Sequence, residues 1–128
     1  MTKNKLPDNA KALVEQIVIA LQEKKGNDIV SLDLKKIPGA VAKYFVICHG
    51  TSKIQSRAIF DFVIDDLKEK YNISPFHTEG YKNSEWLLID FVDVVVHIFT
   101  EEIRYYYNLE SLWADAKKIE YLPVIENL

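Results

Sequence analysis

From about Asp8 to Lys25 the apolar residues recur at helical spacing. Leu13, Ile17, Ala20 and Leu21 share one face with Val14 beside it, while Lys11, Glu15 and Gln22 fall elsewhere. Gly26-Asn27 ends this helix, as a glycine just past a helix often does. The period then drops to two: Ile29, Val30, Leu32 and Leu34 against Ser31 and Asp33 predict a half-buried strand, closed by Pro38-Gly39. Tyr44 to Cys48 is a nearly continuous apolar run, the pattern of a central strand. Gly50-Thr51 turns the chain, and Ser52-x-x-Gln55 is a capping box opening a helix to about Lys70. That helix carries Ile54, Ala58, Ile59, Phe62, Val63 and Leu67, with Phe60 and Ile64 off the main face.

After a loop through Asn72 and Pro75 comes a strand around Phe76 to Tyr81. Trp86 to Phe99 then holds two runs of β-branched and aromatic residues about a short centre bearing Asp90 and Asp93, which predicts a β-hairpin. Thr100 is placed to cap a final helix, and Glu101 and Glu102 suit its positive end. Lys117 to Leu128 contains Pro123 and shows no clear period, so residues 117–128 are expected to form a partly extended tail on a core of about 8–116. The order α, β, β, α, β, β, β, α describes one α/β domain over 1–128. Its sheet must mix directions, because the last strands pair as a hairpin while the strand before the Ser52 helix needs a crossover.

Composition narrows the class. A 128-residue chain that is 48% hydrophobic buries a real core, which excludes disorder as its main state. No apolar run approaches the roughly 20 residues that span a bilayer. Met1 to Asp8 has neither the apolar centre of a secretory signal nor the arginines of a transit peptide, and Cys48 has no second cysteine to pair with. A cytoplasmic domain without membrane contact is therefore expected. Of the 16 basic residues only Arg57 and Arg104 are arginines, and the net charge is −3. Nucleic-acid binders carry a basic footprint, so little direct binding to RNA or DNA is expected.

Charge is concentrated between Asn83 and Ala116. Glu85, Asp90, Asp93, Glu101, Glu102, Glu110 and Asp115 face a single base, Arg104, a net −6. The same stretch holds both tryptophans and the run Tyr105-Tyr106-Tyr107, whose side chains spread through about 200 degrees on a helix, so that at least one faces outward. An acidic, aromatic surface of this kind suits a basic protein partner.

These residues also carry a family resemblance. Trp86-x-Leu88-x-Asp90, then Asp93-Val94-Val95-Val96-His97-x-Phe99, then Arg104-x-x-Tyr107-x-Leu109-Glu110-x-Leu112-Trp113-x-Asp115-Ala116 resembles the ribosomal silencing factor, or Iojap-related, family. Tyr44 to Ser52 with Gln55, Ala58 and Ile59 is similar to the family's first block, and Glu79-Gly80 to its middle block. The resemblance implies a mixed five-stranded sheet with helices packed on it, a nucleotidyltransferase-like topology without the catalytic acids. It also implies binding to the large ribosomal subunit through protein fourteen of its L series, at the face that meets the small subunit. Subunit joining would then be blocked sterically and translation repressed under nutrient limitation. Three positions depart from the family pattern: Val92 stands where a glycine is common, Lys43 where an acid is common, and His49 where a small hydroxyl residue is common.

Two other classes are weighed against this reading. A magnesium-dependent nucleotidyltransferase-like enzyme needs two carboxylates on alternate positions of a strand. The acids after Gly50-Thr51-Ser52 are Asp61, Asp65 and Asp66, all inside the predicted helix. Cys48 and His49 point to opposite faces of one strand, and His49, His77 and His97 lack zinc-site spacing, so no catalytic residue, metal or cofactor is expected. A homodimeric scaffold draws support from Phe60 and Ile64, and a homodimer of the free protein is compatible with the leading reading. The candidate partner-binding residues are Trp86, Asp90, Asp93, Arg104, Tyr107, Glu110 and Trp113. His97 is a secondary candidate, expected on the face of Val95 and Phe99 and satisfied there by a backbone carbonyl or a carboxylate.

Overall fold

The computed structural model describes residues 5–124. Helix α1 (Ala10–Glu23) begins where Asn9 Oδ1 accepts the Ala12 N–H at 2.7 Å, satisfying a donor that a helix start leaves free. Strands β1 (Asn27–Asp33) and β2 (Tyr44–Gly50) run antiparallel and lead to helix α2 (Lys53–Tyr71). The remaining elements are β3 (His77–Glu79), β4 (Trp86–Asp90), β5 (Val94–Thr100), α3 (Glu101–Tyr107), the short α4 (Leu109–Leu112) and β6 (Lys117–Tyr121).

The sheet runs β3-β4-β5-β2-β1-β6, with β2 and β5 parallel and every other pair antiparallel. One face packs under α1 and α2, joining Ile17, Leu21, Ile59, Val63 and Leu67 to Val46, Ile89, Val96 and Ile98. The opposite face holds Val30, Leu32, Leu34, Phe45, Ile47, Val95 and Phe99, partly covered by Leu109, Ile103 and Trp113. β2 is buried along its whole length, as its apolar run predicts.

Among the described residues the sheet has six strands rather than the five expected. The sixth comes from the segment expected to be a tail: Lys117–Tyr121 pairs with β1 from Asp33↔Lys117 to Ile29↔Tyr121. Its alternation escapes a hydrophobicity reading because four of its five residues are exposed at the sheet edge. Edge lysines such as Lys117 and Lys118 deter further strand addition. Tyr121 ties β6 down through its hydroxyl, 3.0 Å from Ser31 Oγ, and Gln22 donates to the Leu122 carbonyl at 2.8 Å.

α2 is rotated from its expected setting. It buries Ser56, Ile59, Phe60, Val63 and Leu67 and leaves Ile54 and Ala58 exposed. The cause lies at its first turn, where β2 and α2 nearly touch. A Cβ on Gly50 would sit 2.5 Å from Ser56 Oγ, and Ser56 Oγ donates to the Phe99 carbonyl at 3.1 Å. Ser56 therefore faces the sheet and sets the helix rotation. Phe60, expected to project as a self-association surface, lies in the core against Tyr81 at 5.3 Å, and Ile64 packs half-buried beside it. The capping box also shifts by one residue: Ser52 Oγ accepts from Gln55 N, but Gln55 Oε1 accepts the N–H of Thr51, at 2.6 Å.

The β4–β5 turn is closed by Asp90 Oδ1, which accepts the Val92 N–H at 2.7 Å. Val92 itself has φ +76°, a left-handed conformation that a β-branched side chain disfavours. Replacing Val92, which is exposed, by glycine relieves that strain. Even after glycine's larger loss of backbone entropy, Val92→Gly is expected to raise stability by about 1 kcal/mol, read as a higher midpoint in thermal or urea unfolding.

Candidate functional site

β4 alternates as a strand must. Leu87 and Ile89 enter the α1–α2 core, while Trp86, Leu88 and Asp90 lie on the opposite face. Register places Trp86 against Phe99, Leu88 against His97 and Asp90 against Val95. α3 then brings Tyr107 to 5.0 Å from the Trp86 ring, and the end of α4 brings Trp113 edge-on to Phe45 at 5.7 Å. Phe99 lies 4.9 Å from Trp86 and His97 lies 4.6 Å from Phe45, so one aromatic layer runs from Tyr107 to Trp113. Trp86, Leu88 and Trp113 are half-buried on it, and Tyr106 and Leu112 are exposed at its margin. Glu79, paired with Leu88, and Asp90 give the β3–β4 side an acidic rim.

The loop before Trp86 is built to hold it. Gly80 has φ +90°, and a Cβ there would lie 1.9 Å from the Trp86 carbonyl oxygen. Arg57 on α2 clamps the same loop through Ser84 Oγ, with Nε at 2.8 Å and Nη2 at 2.6 Å, while its guanidinium sits over Tyr81.

The expected docking residues divide. Trp86, Asp90, Tyr107 and Trp113 share the aromatic face. Asp93 lies at the hairpin turn, 3.6 Å from Lys43, so the lysine that replaces an acid in the family pattern has a carboxylate partner. Arg104 corrects the expectation outright: it is 4% exposed. Its Nε donates to Glu110 at 3.0 Å, and its Nη1 donates to the Asn27 carbonyl at 3.2 Å and lies 3.0 Å from His49 Nδ1. Glu110 is thereby the counter-ion of a buried guanidinium, with Lys118 at 3.6 Å on its other oxygen. The two residues pin α3 and α4 to the sheet.

His49, on β2, accepts that Arg104 hydrogen at Nδ1 and holds Nε2 3.4 Å from Glu101. Burial, and next the neighbouring guanidinium, keep its pKa below the ordinary value. Among the described residues His97 meets neither a carbonyl nor a carboxylate. Its Nδ1 accepts from the Trp86 indole N–H at 3.0 Å, and burial holds its pKa down to about 4. Leu88, not among the expected residues, lies on the same face, as the strand alternation of Trp86-Leu88-Asp90 requires.

The acids of the enzyme reading are dispersed along α2: Asp61 accepts from the Tyr81 hydroxyl at 3.1 Å, and Asp66 pairs with Lys70 at 3.1 Å. Among the described residues no group of three or more His, Cys, Asp or Glu side chains is placed to hold a metal ion, and no helix is long and apolar enough to cross a membrane.

The profile of the family described as "Ribosomal silencing factor during starvation" matches residues 7–127. The chain belongs to the ribosomal silencing factor family. Proteins named ribosomal silencing factor RsfS from Halalkalibacterium halodurans and Bacillus subtilis are 41% and 42% identical to it over 113 and 108 residues. Those matches cover 88% and 84% of this chain and 95% and 90% of the relatives. A crystal structure of a Chromobacterium violaceum protein superposes with a TM-score of 0.78 at 31% identity, covering 89% of this chain and 93% of that one. In this chain, then, Trp86, His97 and Tyr107 meet in one aromatic layer, while Arg104 and Glu110 form an internal ion pair.

Two outcomes follow from the polar groups. The unfolded chain binds a proton at His97 near the ordinary histidine pKa of about 6.5, and the folded chain only near about 4. Unfolding is therefore favoured as pH falls between those values, by about 3 kcal/mol in total from His97, with His49 adding in the same direction. Unfolding free energies measured from pH 7 to 4 should show this fall, and His97→Leu should flatten most of it. Glu110→Lys should lower stability by about 2–3 kcal/mol, because it sets a second cation beside buried Arg104. A thermal melt unchanged by Glu110→Lys would show that the pair does not hold α3 and α4.

Proposed function

We propose that this protein silences translation by docking, without catalysis, on the large ribosomal subunit in the cytoplasm. Its partner is protein fourteen of the L series, at the face that meets the small subunit. Once seated, the 14.8 kDa domain obstructs subunit joining by its bulk, which represses translation when nutrients are limiting. Membership of the silencing factor family supports the ribosomal role, and the description of that family supports the link to starvation.

The observation that carries the docking reading is the aromatic face of Trp86, Leu88, Tyr107 and Trp113 with Glu79 and Asp90 at its rim. Aromatic side chains set on strands and short helices lose little conformational freedom on binding, and they are the usual anchors of protein interfaces. The acidic rim suits a basic protein and opposes an RNA surface.

Sedimentation of the purified protein with separated ribosomal subunits tests this reading. It should travel with free large subunits and not with small ones. Trp86→Ala and Tyr107→Ala should each weaken that binding by about 2 kcal/mol, roughly thirtyfold, with Tyr107→Ala leaving the melting temperature nearly unchanged because its side chain is half exposed. Equal recovery with both subunits, or with neither, overturns the proposal.

A further inference from the structure

His97 is a polar residue set into an apolar layer. Its neighbours on that face of β5 are Val95 and Phe99, its cross-strand partners are Ile47 and Leu88, and Phe45 meets its ring edge-on. Because Nδ1 accepts from the Trp86 indole, the proton of the neutral ring sits on Nε2. That nitrogen is buried and meets no acceptor among the described residues. An unsatisfied buried donor destabilises a fold, and an aliphatic side chain at position 97 would remove it. Among the described residues, the one polar bond the imidazole makes is the bond to Trp86.

We propose that His97 is a positioning residue that selects the orientation in which Trp86 is presented on the docking face. The inference rests on the docking reading given above and adds the device behind it. Trp86 packs against Phe99 at 4.9 Å and Tyr107 at 5.0 Å, but such contacts are tolerant of rotation. The last side-chain torsion of tryptophan has two broad settings about half a turn apart, which share a ring plane but direct the N–H to opposite sides. Only one directs the indole N–H inward to His97. In that setting the N–H is occupied, so the exposed part of the ring offers its π-face and C–H edge and no hydrogen-bond donor. A partner group suited to it is the guanidinium or aliphatic stem of a basic side chain, stacked on the ring, rather than an acceptor such as a carbonyl or a phosphate. This fits the acidic rim supplied by Glu79 and Asp90.

Three variants separate positioning from packing. Asparagine places an amide oxygen close to where Nδ1 stands, glutamine reaches instead toward the position of Nε2, and leucine supplies neither. Binding to free large subunits should stay within about threefold of wild type for His97→Asn and fall by about tenfold for His97→Leu and His97→Gln, the scale of one lost anchor contact. The melting temperature of His97→Leu at pH 7 should equal or exceed that of wild type. In NMR spectra of the free protein, the Trp86 indole N–H should exchange slowly with solvent in wild type and His97→Asn, and fast in His97→Leu.

Wild-type binding by His97→Leu, or equal losses for asparagine and leucine, overturns the inference while the docking reading stands. So does a loss of binding that follows a lowered melting temperature across the three variants. Failure of the wild-type protein to bind large subunits removes the docking reading itself, and the inference with it. Undiminished binding by Trp86→Ala, with wild type bound, removes Trp86 as the anchor and overturns the inference alone.

Discussion

The parallel pairing of β2 with β5, in register from Tyr44↔Val94 to Gly50↔Thr100, is the contact on which both faces of the molecule depend. These strands are separated in sequence by α2 and by the β3–β4 excursion, so their union closes a long loop whose entropy only a large burial offsets. The burial is there: apart from half-buried Thr100 at the end of β5, both strands are buried along their length. Each also serves two layers. Val46, Cys48, Val96 and Ile98 meet α1 and α2, while Phe45, Ile47, Val95 and Phe99 build the opposite side. The aromatic layer is thus the back of the main core. A candidate docking surface founded on the most buried strands has little freedom to deform.

A second polar device completes that surface. α3 has seven residues and α4 four, too short to be stable by themselves. Arg104 anchors them by reaching under α3 to the Asn27 carbonyl, His49 and Glu110. Asn108, in the left-handed conformation at φ +47°, ends α3 and redirects the chain into α4. Tyr107 comes to Trp86, and Trp113 to Phe45, because this anchor fixes the path between them. A buried guanidinium is seldom a net stabiliser, yet it specifies one arrangement, since any shift of α3 strands the charge.

Much of this was legible in the chain, and the failures have physical causes. The helical period of Leu13, Ile17 and Leu21 and the apolar run Tyr44 to Cys48 located α1 and β2, because packing on a core imposes those periods. Strand alternation correctly put His97 with Val95 and Phe99. β6 was illegible because an exposed edge strand needs no apolar face, and only its pairing with β1 defines it. The rotation of α2 was hidden in Gly50 and Ser56, a close approach that hydrophobicity does not register. Arg104 misled for a related reason. Arginine is enriched both at interfaces and in internal ion networks, and two of its partners here, Asn27 and His49, come from distant parts of the sequence. The same holds for His97, whose acceptor role needs the β4–β5 register to bring Trp86 beside it.

The division of the acids changes how the charge of this stretch acts. Glu110 is bound to Arg104 and Lys118, and Asp93 to Lys43, so neither is free to form a new ion pair without breaking one already present. A field summed over the stretch is still negative, and a field of one sign speeds the approach of an oppositely charged partner even when individual groups are paired. Approach and grip are then separate functions of the same surface. In the proposed docking, the acids would favour encounter with a basic partner and bias its orientation, in a manner that salt weakens. The grip in that proposed docking falls to side chains that would lose water on contact, Trp86, Leu88, Tyr107 and Trp113, and is less sensitive to salt. On this division, changing the ionic strength moves the association rate far more than the dissociation rate, whereas trimming an aromatic side chain does the reverse.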